Sequence, residues 1–212
     1  MSSCLKLFTV LGMLYLLAAC GGENGLAEGL EWVERTDSYN NLERYSRRTA
    51  DYAKEGQLMR ISPEGNVIEL AEYQNDTLNG KRIMFAENGD TLVVEHYENG
   101  LFHGEYRAYY EGSLLELVGE YTANSMEGEW KRFYPNGQLM EIVSFSDNQE
   151  NGPFIEYHEN GSLKAEGYYR NGDHEHGLLK LYDEAGELEK TMNCENGICR
   201  TVWSKKDRSV DE

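Results

Sequence analysis

Short apolar and aromatic runs alternate with polar turns along most of the chain. Two examples are Val67–Tyr73 and Leu139–Phe145, which are rich in aliphatic and aromatic residues and are preceded by Gly-containing turns. No stretch carries the 3.6-residue apolar spacing of a surface helix. Runs of this length, bounded by turn residues, predict β-strands. We therefore expect an all-β protein.

Glycine recurs through residues 65–186 in two interleaved sets, each with a period of about 24 residues. The first set stands in turn pairs such as Asn88-Gly89 and comprises Gly65, Gly89, Gly112, Gly137, Gly161 and Gly186. The second set comprises Gly80, Gly104, Gly128, Gly152 and Gly177. A fixed period of this length indicates a stacked repeat array. Because the turn pairs supply the positive φ of tight turns, each unit is predicted to be a β-hairpin with a polar loop before its second glycine.

Aromatic residues follow the same period. Five places after each glycine of the second set stand Phe85, Tyr109, Phe133, Tyr157 and Tyr182. Two places after that glycine most copies have a bulky residue, as at Tyr106 and Trp130, and eight places after the first-set glycine most have an aromatic, as at Tyr97. Residues two and five places after a glycine would point to opposite faces of a flat strand. Either both faces of the sheet are partly covered, or a β-bulge brings the aromatic residue back to the same face.

The architecture that follows is an elongated, twisted antiparallel sheet, or open β-solenoid, of about six hairpin repeats of ~24 residues. We expect the aromatics to form a continuous stripe between neighbouring units. A single hairpin is marginal in water, so each unit must be stabilised by its neighbours.

Several segments resemble a known repeat. Phe102-His103-Gly104-Glu105-Tyr106, Met126-Glu127-Gly128-Glu129-Trp130 and Tyr134-Pro135-Asn136-Gly137-Gln138-Leu139 are similar to the variant form of the MORN (membrane occupation and recognition nexus) repeat. The resemblance covers about residues 52–203. Bacterial proteins of this kind are often labelled antitoxin components, so the resemblance implies a repeat surface for recognition and, as an alternative, an antitoxin role.

The N-terminus has the pattern of an export signal. Lys6 precedes an apolar run, Leu7–Ala19, that is too short to span a bilayer. Leu17-Ala18-Ala19-Cys20 resembles a bacterial lipobox, which implies cleavage before Cys20 and its lipidation with acyl chains such as palmitate. The alternatives are an ordinary signal peptide with an incidental cysteine, or an uncleaved anchor. Gly after the cysteine is similar to lipoproteins of the outer membrane, provided that the cell has two membranes.

Five segments are predicted. Residues 1–19 form the signal peptide, 20–38 the lipidated cysteine and a flexible tether, 39–63 an N-terminal capping segment, 64–203 the repeat array and 204–212 a charged tail. The capping segment contains Arg44, Arg47, Arg48 and Arg60, which form either a solvated charged face or a basic docking patch.

Two cysteines remain after processing, Cys194 and Cys199. If Asn196-Gly197 makes a two-residue turn, they lie directly opposite each other on paired strands. Cross-strand partners are close enough for a disulfide, and an exported protein meets an oxidising environment. We predict a Cys194–Cys199 disulfide that closes the last hairpin. The alternatives are a redox or a metal-binding pair, but the spacing is not Cys-x-x-Cys.

Charge and motifs narrow the function. The chain has 20 basic and 38 acidic residues, a formal net charge of −18, which disfavours nucleic acid as a partner. No catalytic or nucleotide-binding motif is present, and we expect neither enzymatic activity nor a cofactor. His174 and His176, two residues apart, are weak candidates for metal ligands; a polar loop insertion is the alternative.

These features together favour a lipid-anchored binding or scaffold protein of the cell envelope. Its N-terminal lipid would hold it to a membrane, and we favour the outer membrane. The repeat array would face the periplasm or the cell surface. Its partner would be a protein, or else a lipid or a glycan, contacted through exposed aromatics such as Tyr110 and Tyr134. The alternatives are an antitoxin or immunity-type protein that neutralises a toxin or effector, and an enzyme acting through His174 or His176.

Overall fold

The computed structural model describes residues 25–208, and within that range the protein is one open antiparallel sheet of sixteen strands. Strand order follows chain order, except that β7 pairs only with β6. The strands are β1 Leu30–Thr36, β2 Leu42–Arg48, β3 Lys54–Ile61, β4 Val67–Gln74, β5 Thr77–Phe85, β6 Thr91–Glu98, β7 Leu101–Phe102, β8 Gly104–Tyr110, β9 Leu114–Thr122, β10 Ser125–Phe133, β11 Leu139–Ser146, β12 Gln149–Tyr157, β13 Leu163–Tyr169, β14 Gly177–Tyr182, β15 Leu188–Glu195 and β16 Ile198–Ser204. The predicted all-β, open antiparallel sheet of hairpins is confirmed.

Two kinds of turn alternate along the sheet. At the edge marked by the first glycine set, the Ser62 N–H donates to the Asn66 carbonyl (2.8 Å) and the Gly65 N–H to the Ser62 carbonyl (2.9 Å). This is a three-residue loop whose last residue, Gly65, has φ 94°. At the other edge, Asn75 and Asp76 have φ of 52° and 61° and form a two-residue turn.

The predicted polar loops between the two strands of each unit are therefore wrong in length. Most of the residues assigned to them belong to strands, and most of the turns are short pairs such as Asn75-Asp76 and Asp147-Asn148, in which both residues have positive φ. The fifth turn, between β13 and β14, is a longer loop. Asn and Asp tolerate the left-handed conformation because their short side chains bond the local backbone. Each second-set glycine instead stands within or at the start of a strand: Gly152, in β12, has φ 135°, and a Cβ there would lie 2.7 Å from the Ser144 Cβ.

A β-bulge accompanies each aromatic of the five-place set. The pairing register shifts immediately before Phe85, Tyr109, Phe133, Tyr157 and Tyr182. The bulge falls where the strand approaches the glycine turn, and it accommodates the mixed spacing that the sequence shows.

One face of the sheet carries the core, and we call it the aromatic face. Its buried residues form two clusters, Tyr45, Leu58 and Ala71 near the start and Val143, Phe154, Ala165, Leu179 and Cys194 near the end. Between them runs a chain of ring contacts: Tyr106 to Tyr121 (5.7 Å between centroids), Tyr121 to Trp130 (5.1 Å) and Trp130 to Phe145 (6.1 Å).

The aromatic stripe thus exists, but it is built from other residues than the five-place set. Its rings are those eight or nine places after a first-set glycine and two places after a second-set glycine, together with Phe102. Since paired residues and alternate residues share a face, these positions fall on one side of neighbouring strands. Gly167, outside both periodic sets, leaves room for the rings, because a Cβ there would lie 2.7 Å from Phe154.

The sheet begins earlier than the predicted domain boundaries. Residues 30–36, assigned to the flexible tether, form β1 and pair along their whole length with β2. The capping segment 39–63 supplies β2 and β3 as an inner hairpin. The predicted signal peptide, Cys20 and the last four residues of the tail lie outside the described residues, and the described start of the tail is a short 3-10 turn, Lys205–Arg208. Within 25–208 no helix has the length and apolarity needed to cross a membrane.

Candidate functional site

On the aromatic face, positively and negatively charged side chains alternate from one strand to the next across β1 to β6. Each charge stands on its own strand and pairs with the next one, with nitrogen–oxygen distances of 2.7, 2.6, 2.6, 2.7 and 3.2 Å. We call this set the charge ladder: Arg35, Glu43, Arg60, Glu69, Arg82 and Glu95. Its three carboxylates are buried, with relative exposures of 4–6%. Each of them lies between cationic side chains or beside one, as a buried charge requires.

The charge ladder shifts the pKa values of one of its own carboxylates and of a neighbouring tyrosine. Burial acts to raise the pKa of Glu43, but hydrogen bonds from Arg60 and Arg35 outweigh it and hold that pKa below its ordinary value. At the end of the ladder the Tyr97 hydroxyl donates to Glu95 (3.0 Å). Burial and that hydrogen bond raise the pKa of Tyr97 to about 12. Every ladder charge is therefore paired with an opposite charge of the sheet, although the buried Arg60 Nε has no hydrogen-bond partner among the described residues.

The arginines of the capping segment are likewise paired. Arg44 lies 3.5 Å from Glu34, Arg47 2.7 Å from Glu31 and Arg48 2.8 Å from Asp51, while Arg60 belongs to the charge ladder. These arginines meet carboxylates of the same chain, which favours a neutralised structural surface over a basic docking patch.

Tyr110 and Tyr134 hold neighbouring repeats together. The Tyr110 hydroxyl donates to the Phe133 carbonyl (3.0 Å) and the Tyr134 hydroxyl to the Tyr157 carbonyl (2.9 Å). His158, one repeat farther on, places its Nε2 3.0 Å from the Tyr182 carbonyl. Both tyrosines are half-buried, and not exposed as expected, while their role as contacts for a partner stays a prediction. Their position next to the five-place aromatics reflects a repeated inter-repeat bond.

His174 and His176 do not come together with other ligands. The His174 Nδ1 lies 3.3 Å from the Asn171 carbonyl, and the His176 Nε2 lies 3.2 Å from the Arg170 guanidinium. Among the described residues, no group of three or more His, Cys, Asp or Glu side chains is placed to hold a metal ion. The two histidines belong to a loop that closes the fifth hairpin.

Cys194 and Cys199 form a disulfide across the last hairpin, with Cα atoms 4.0 Å apart. They are directly paired in β15 and β16, and Glu195 pairs with Ile198 next to the turn. Cys194 is 2% exposed and packs within the second core cluster. The bridge therefore covers the end of the aromatic stripe.

The opposite face, like the aromatic face, is covered by no second layer of the described chain, but it carries a different pattern of residues. Met59, Leu70, Ile83 and Val94 are direct partners on four consecutive strands and form one apolar row there. All four are half-buried by their own neighbours only. Beyond Val94 the row continues through Arg107 and Val118. A second row beside it is mixed on β3 to β6, where it carries Gln57, Glu72, Lys81 and His96. Farther along, on β8 to β10, it consists of Glu105, Glu120 and Glu127, which we call the acidic row.

The charge ladder and the acidic row were missed from the sequence. A signal exists, because Glu69 and Glu95 stand 26 residues apart and Arg60 and Arg82 stand 22 apart, close to the repeat period. The partners on adjacent strands could be matched only once the register and its bulges were known.

Two units of the array match a known repeat family. The MORN repeat variant matches residues 126–147 and 150–171, which cover all but the first residue of β10 with β11 and all but the first residue of β12 with β13. Each matched unit thus holds two strands and the three-residue glycine loop between them. No curated protein matches the chain. The chain contains MORN-type repeats, identified in two adjacent units of one continuous sheet.

Proposed function

We propose that the protein is a non-catalytic binding or scaffold protein that presents its MORN-type sheet to a protein partner. The observation that carries this proposal is the contrast between the two faces. The aromatic face pairs its ladder charges and buries its apolar side chains against one another, whereas the apolar row of the opposite face stays only half-buried. Repeat arrays commonly use such extended surfaces for recognition.

The proposal includes membrane anchoring in the cell envelope. Its support is the sequence Leu17-Ala18-Ala19-Cys20 and the apolar run before it. Lipid on Cys20 would hold the sheet close to a membrane without a membrane-spanning segment, and we favour the outer membrane. The net charge of −18 would keep the sheet away from anionic headgroups and free to meet a partner.

The proposal that the protein is not an enzyme is supported by the roles of its polar residues. The glycines shape turns and bulges, the buried glutamates pair with arginines, and Tyr110 and Tyr134 bond neighbouring repeats. His174 and His176 bond Asn171 and Arg170. A cofactor has no role in this proposal.

A second candidate function is neutralisation of a toxin or effector, in the manner of an antitoxin or immunity protein. The acidic row favours it, since carboxylates on an open face could cover a basic active site. This candidate predicts a neighbouring gene for a small protein that is lethal when expressed without this chain. Growth of cells that express such a neighbour alone would rule it out.

The direct test is chemical crosslinking in native membranes followed by mass spectrometry, with Cys20→Ser as the control. We expect the wild-type chain in the membrane fraction, crosslinked reproducibly to one envelope protein, and the Cys20→Ser chain in the soluble fraction. Equal membrane retention of both forms would contradict the lipid anchor. Recovery of no crosslinked protein above background would contradict the binding function.

A further inference from the structure

The second row of the opposite face changes character beyond the acidic row. From β10 to β16 it contributes one residue per strand, and we call these residues the C-terminal row: Glu129, Ser144, Pro153, Tyr168, Leu178, Asn193 and Arg200. Each is adjacent in sequence to a residue of the aromatic face, as Leu178 is to Leu179. Because successive side chains of a strand point to opposite faces, all seven belong to the opposite face.

The centre of the C-terminal row is apolar and exposed. Pro153, Tyr168 and Leu178 are all exposed, Tyr168 at 45% and Leu178 at 52%. They line a shallow groove of about 320 Å³, whose lining also includes the ion pair of Glu166 with Lys180 (2.7 Å). A contiguous exposed apolar patch indicates a contact site, which a single scattered apolar side chain does not.

The C-terminal row is complementary to itself about its central residue, Tyr168. One strand away on either side the residue is apolar, and two strands away it is polar and uncharged. Three strands away it is an anion on one side, Glu129, and a cation on the other, Arg200. A second copy turned by 180° about an axis along β13 would place β12 on β14, β11 on β15 and β10 on β16. Each residue of the row would then face one of matching chemistry, as an isologous interface requires.

The charges at the two ends of the row can take part in this contact. Arg200 is exposed and has no ion pair within residues 25–208. The Glu129 side chain is 65% exposed, and its ion-pair partner Lys131 lies 3.7 Å away on the same strand. Exposed pairs of this kind contribute little, so Glu129 can accept a second cation. The rotation brings Arg200 of one copy to Glu129 of the other at both ends of the row.

The charges near the axis do not oppose the contact strongly. Glu166, on β13, accepts hydrogen bonds from Lys180 (2.7 Å) and from the Tyr182 hydroxyl (2.8 Å), so its charge is already compensated. Arg170 is exposed beyond the end of β13, at the margin of the surface, where solvent and salt screen its charge.

We propose that two copies of this chain associate face to face through the C-terminal row, about a twofold axis along β13. Seven strands span about 29 Å, and strands of about seven residues add about 23 Å in the other direction, so each copy offers about 650 Å². The total of about 1,300 Å² is at the lower end of specific interfaces and predicts a reversible dimer. The apolar row on β3 to β6 lies outside this surface and stays accessible to the partner of the proposed function.

Sedimentation velocity of the full chain carrying Cys20→Ser, which excludes any contribution of an acyl group, tests the association. We expect a monomer–dimer equilibrium with a dissociation constant in the micromolar range, visible between about 1 and about 300 μM. A chain that stays monomeric over this range would overturn the proposal.

Charge reversal then locates the surface. We expect Arg200→Glu and Glu129→Arg each to weaken dimerisation by about tenfold, because each brings like charges together at both ends of the row. The double variant should return to within about twofold of the parent chain. General repulsion between acidic chains predicts the reverse for Glu129→Arg, since it lowers the negative charge. Tighter dimerisation of Glu129→Arg, or no rescue in the double variant, would overturn the proposal.

The apolar centre has its own test. We expect Leu178→Lys to weaken dimerisation by about tenfold, and Leu101→Lys, at a leucine of β7 that is 42% exposed, to weaken it by less than about twofold. Both positions are exposed, and circular dichroism checks that both variants stay folded. Equal effects would overturn the proposal. So would photo-crosslinking from position 168 in cells that captures a different protein and no second copy, an outcome that leaves the proposed binding function intact.

Discussion

At the scale of single residues, the charge ladder explains how carboxylates are buried in a sheet only one layer thick. Glu69 is 5% exposed and accepts hydrogen bonds from Arg60 (2.6 Å) and Arg82 (2.7 Å). A buried ion pair contributes little beyond an apolar substitute, but the loss of one partner leaves a buried charge without compensation. The ladder therefore fixes the register of its strands more than it adds stability.

Removal of the central carboxylate should be costly. We expect Glu69→Ala to lower the free energy of unfolding by about 3 kcal/mol, because it leaves Arg60 and Arg82 without their shared partner. The measurement is urea denaturation followed by circular dichroism. Glu64→Ala, an exposed turn residue of the same unit, is the control and should change stability by less than about 0.5 kcal/mol. Equal effects would contradict the role of the ladder.

The ladder also predicts a dependence of stability on pH. The pKa of Glu43 is lower in the folded protein than its ordinary value of 4.5, so its ionised form favours folding. Its contribution is complete above that value and is lost as the pH falls through the folded pKa. We expect the urea midpoint to fall between pH 6 and pH 3, with a shallower slope for Glu43→Gln. Parallel curves for the two proteins would show that Glu43 does not contribute.

At the scale of elements, the stability of each hairpin depends on the next one. Bonds between turns recur at repeat spacing on both edges, as from the Met126 N–H to the Asn148 side chain (2.8 Å) and from the Tyr134 hydroxyl to the Tyr157 carbonyl (2.9 Å). The MORN-type unit thus supplies strands, a glycine loop and a donor for its neighbour.

Removal of one of these hydrogen-bond donors between repeats should destabilise both of the hairpins that it joins. We expect Tyr134→Phe to destabilise the protein by about 1 kcal/mol, because the partly buried carbonyl of Tyr157 loses its hydroxyl partner. Hydrogen exchange should quicken in both β10–β11 and β12–β13. Tyr39→Phe, at a side chain that is 80% exposed, is the control and should leave both unchanged. Faster exchange confined to one hairpin would contradict coupling between repeats.

The sequence predicted the hairpin array because glycine spacing and aromatic enrichment are local signals. Gly65 and Gly137 were correctly placed in turns for that reason. The turn at Asn75-Asp76 was predicted as a longer polar loop, because neither residue is glycine, yet both adopt positive φ and close the turn in two residues. Strand β1 was missed because it precedes the first periodic glycine. The two rows of the opposite face required the register, which a single bulge can shift.

At the scale of the whole molecule, the protein is a sheet that neither closes nor folds onto a second layer within residues 25–208. Fifteen strands follow one another in order, with β7 beside β6. At about 4.8 Å each, they extend about 65–70 Å. A single extended sheet exposes more surface than a compact protein of the same mass, as expected for a protein that binds a partner along its length.

Small-angle scattering should detect this shape in solution. A compact protein of 212 residues has a radius of gyration of about 17 Å. We expect the Cys20→Ser chain to give about 20 Å or more, because its mass is spread along the sheet. A value at the compact figure would mean that the sheet closes or folds over.

The central claim is that the opposite face of this sheet meets a protein partner, and site-specific photo-crosslinking in living cells tests it most directly. The photoreactive residue p-benzoylphenylalanine replaces Ile83, in the apolar row, or Glu159, in an exposed turn. We predict that the Ile83 position yields a single crosslinked protein in the membrane fraction and that the Glu159 position yields none. Crosslinks from Glu159 alone, or from neither position, would contradict the account.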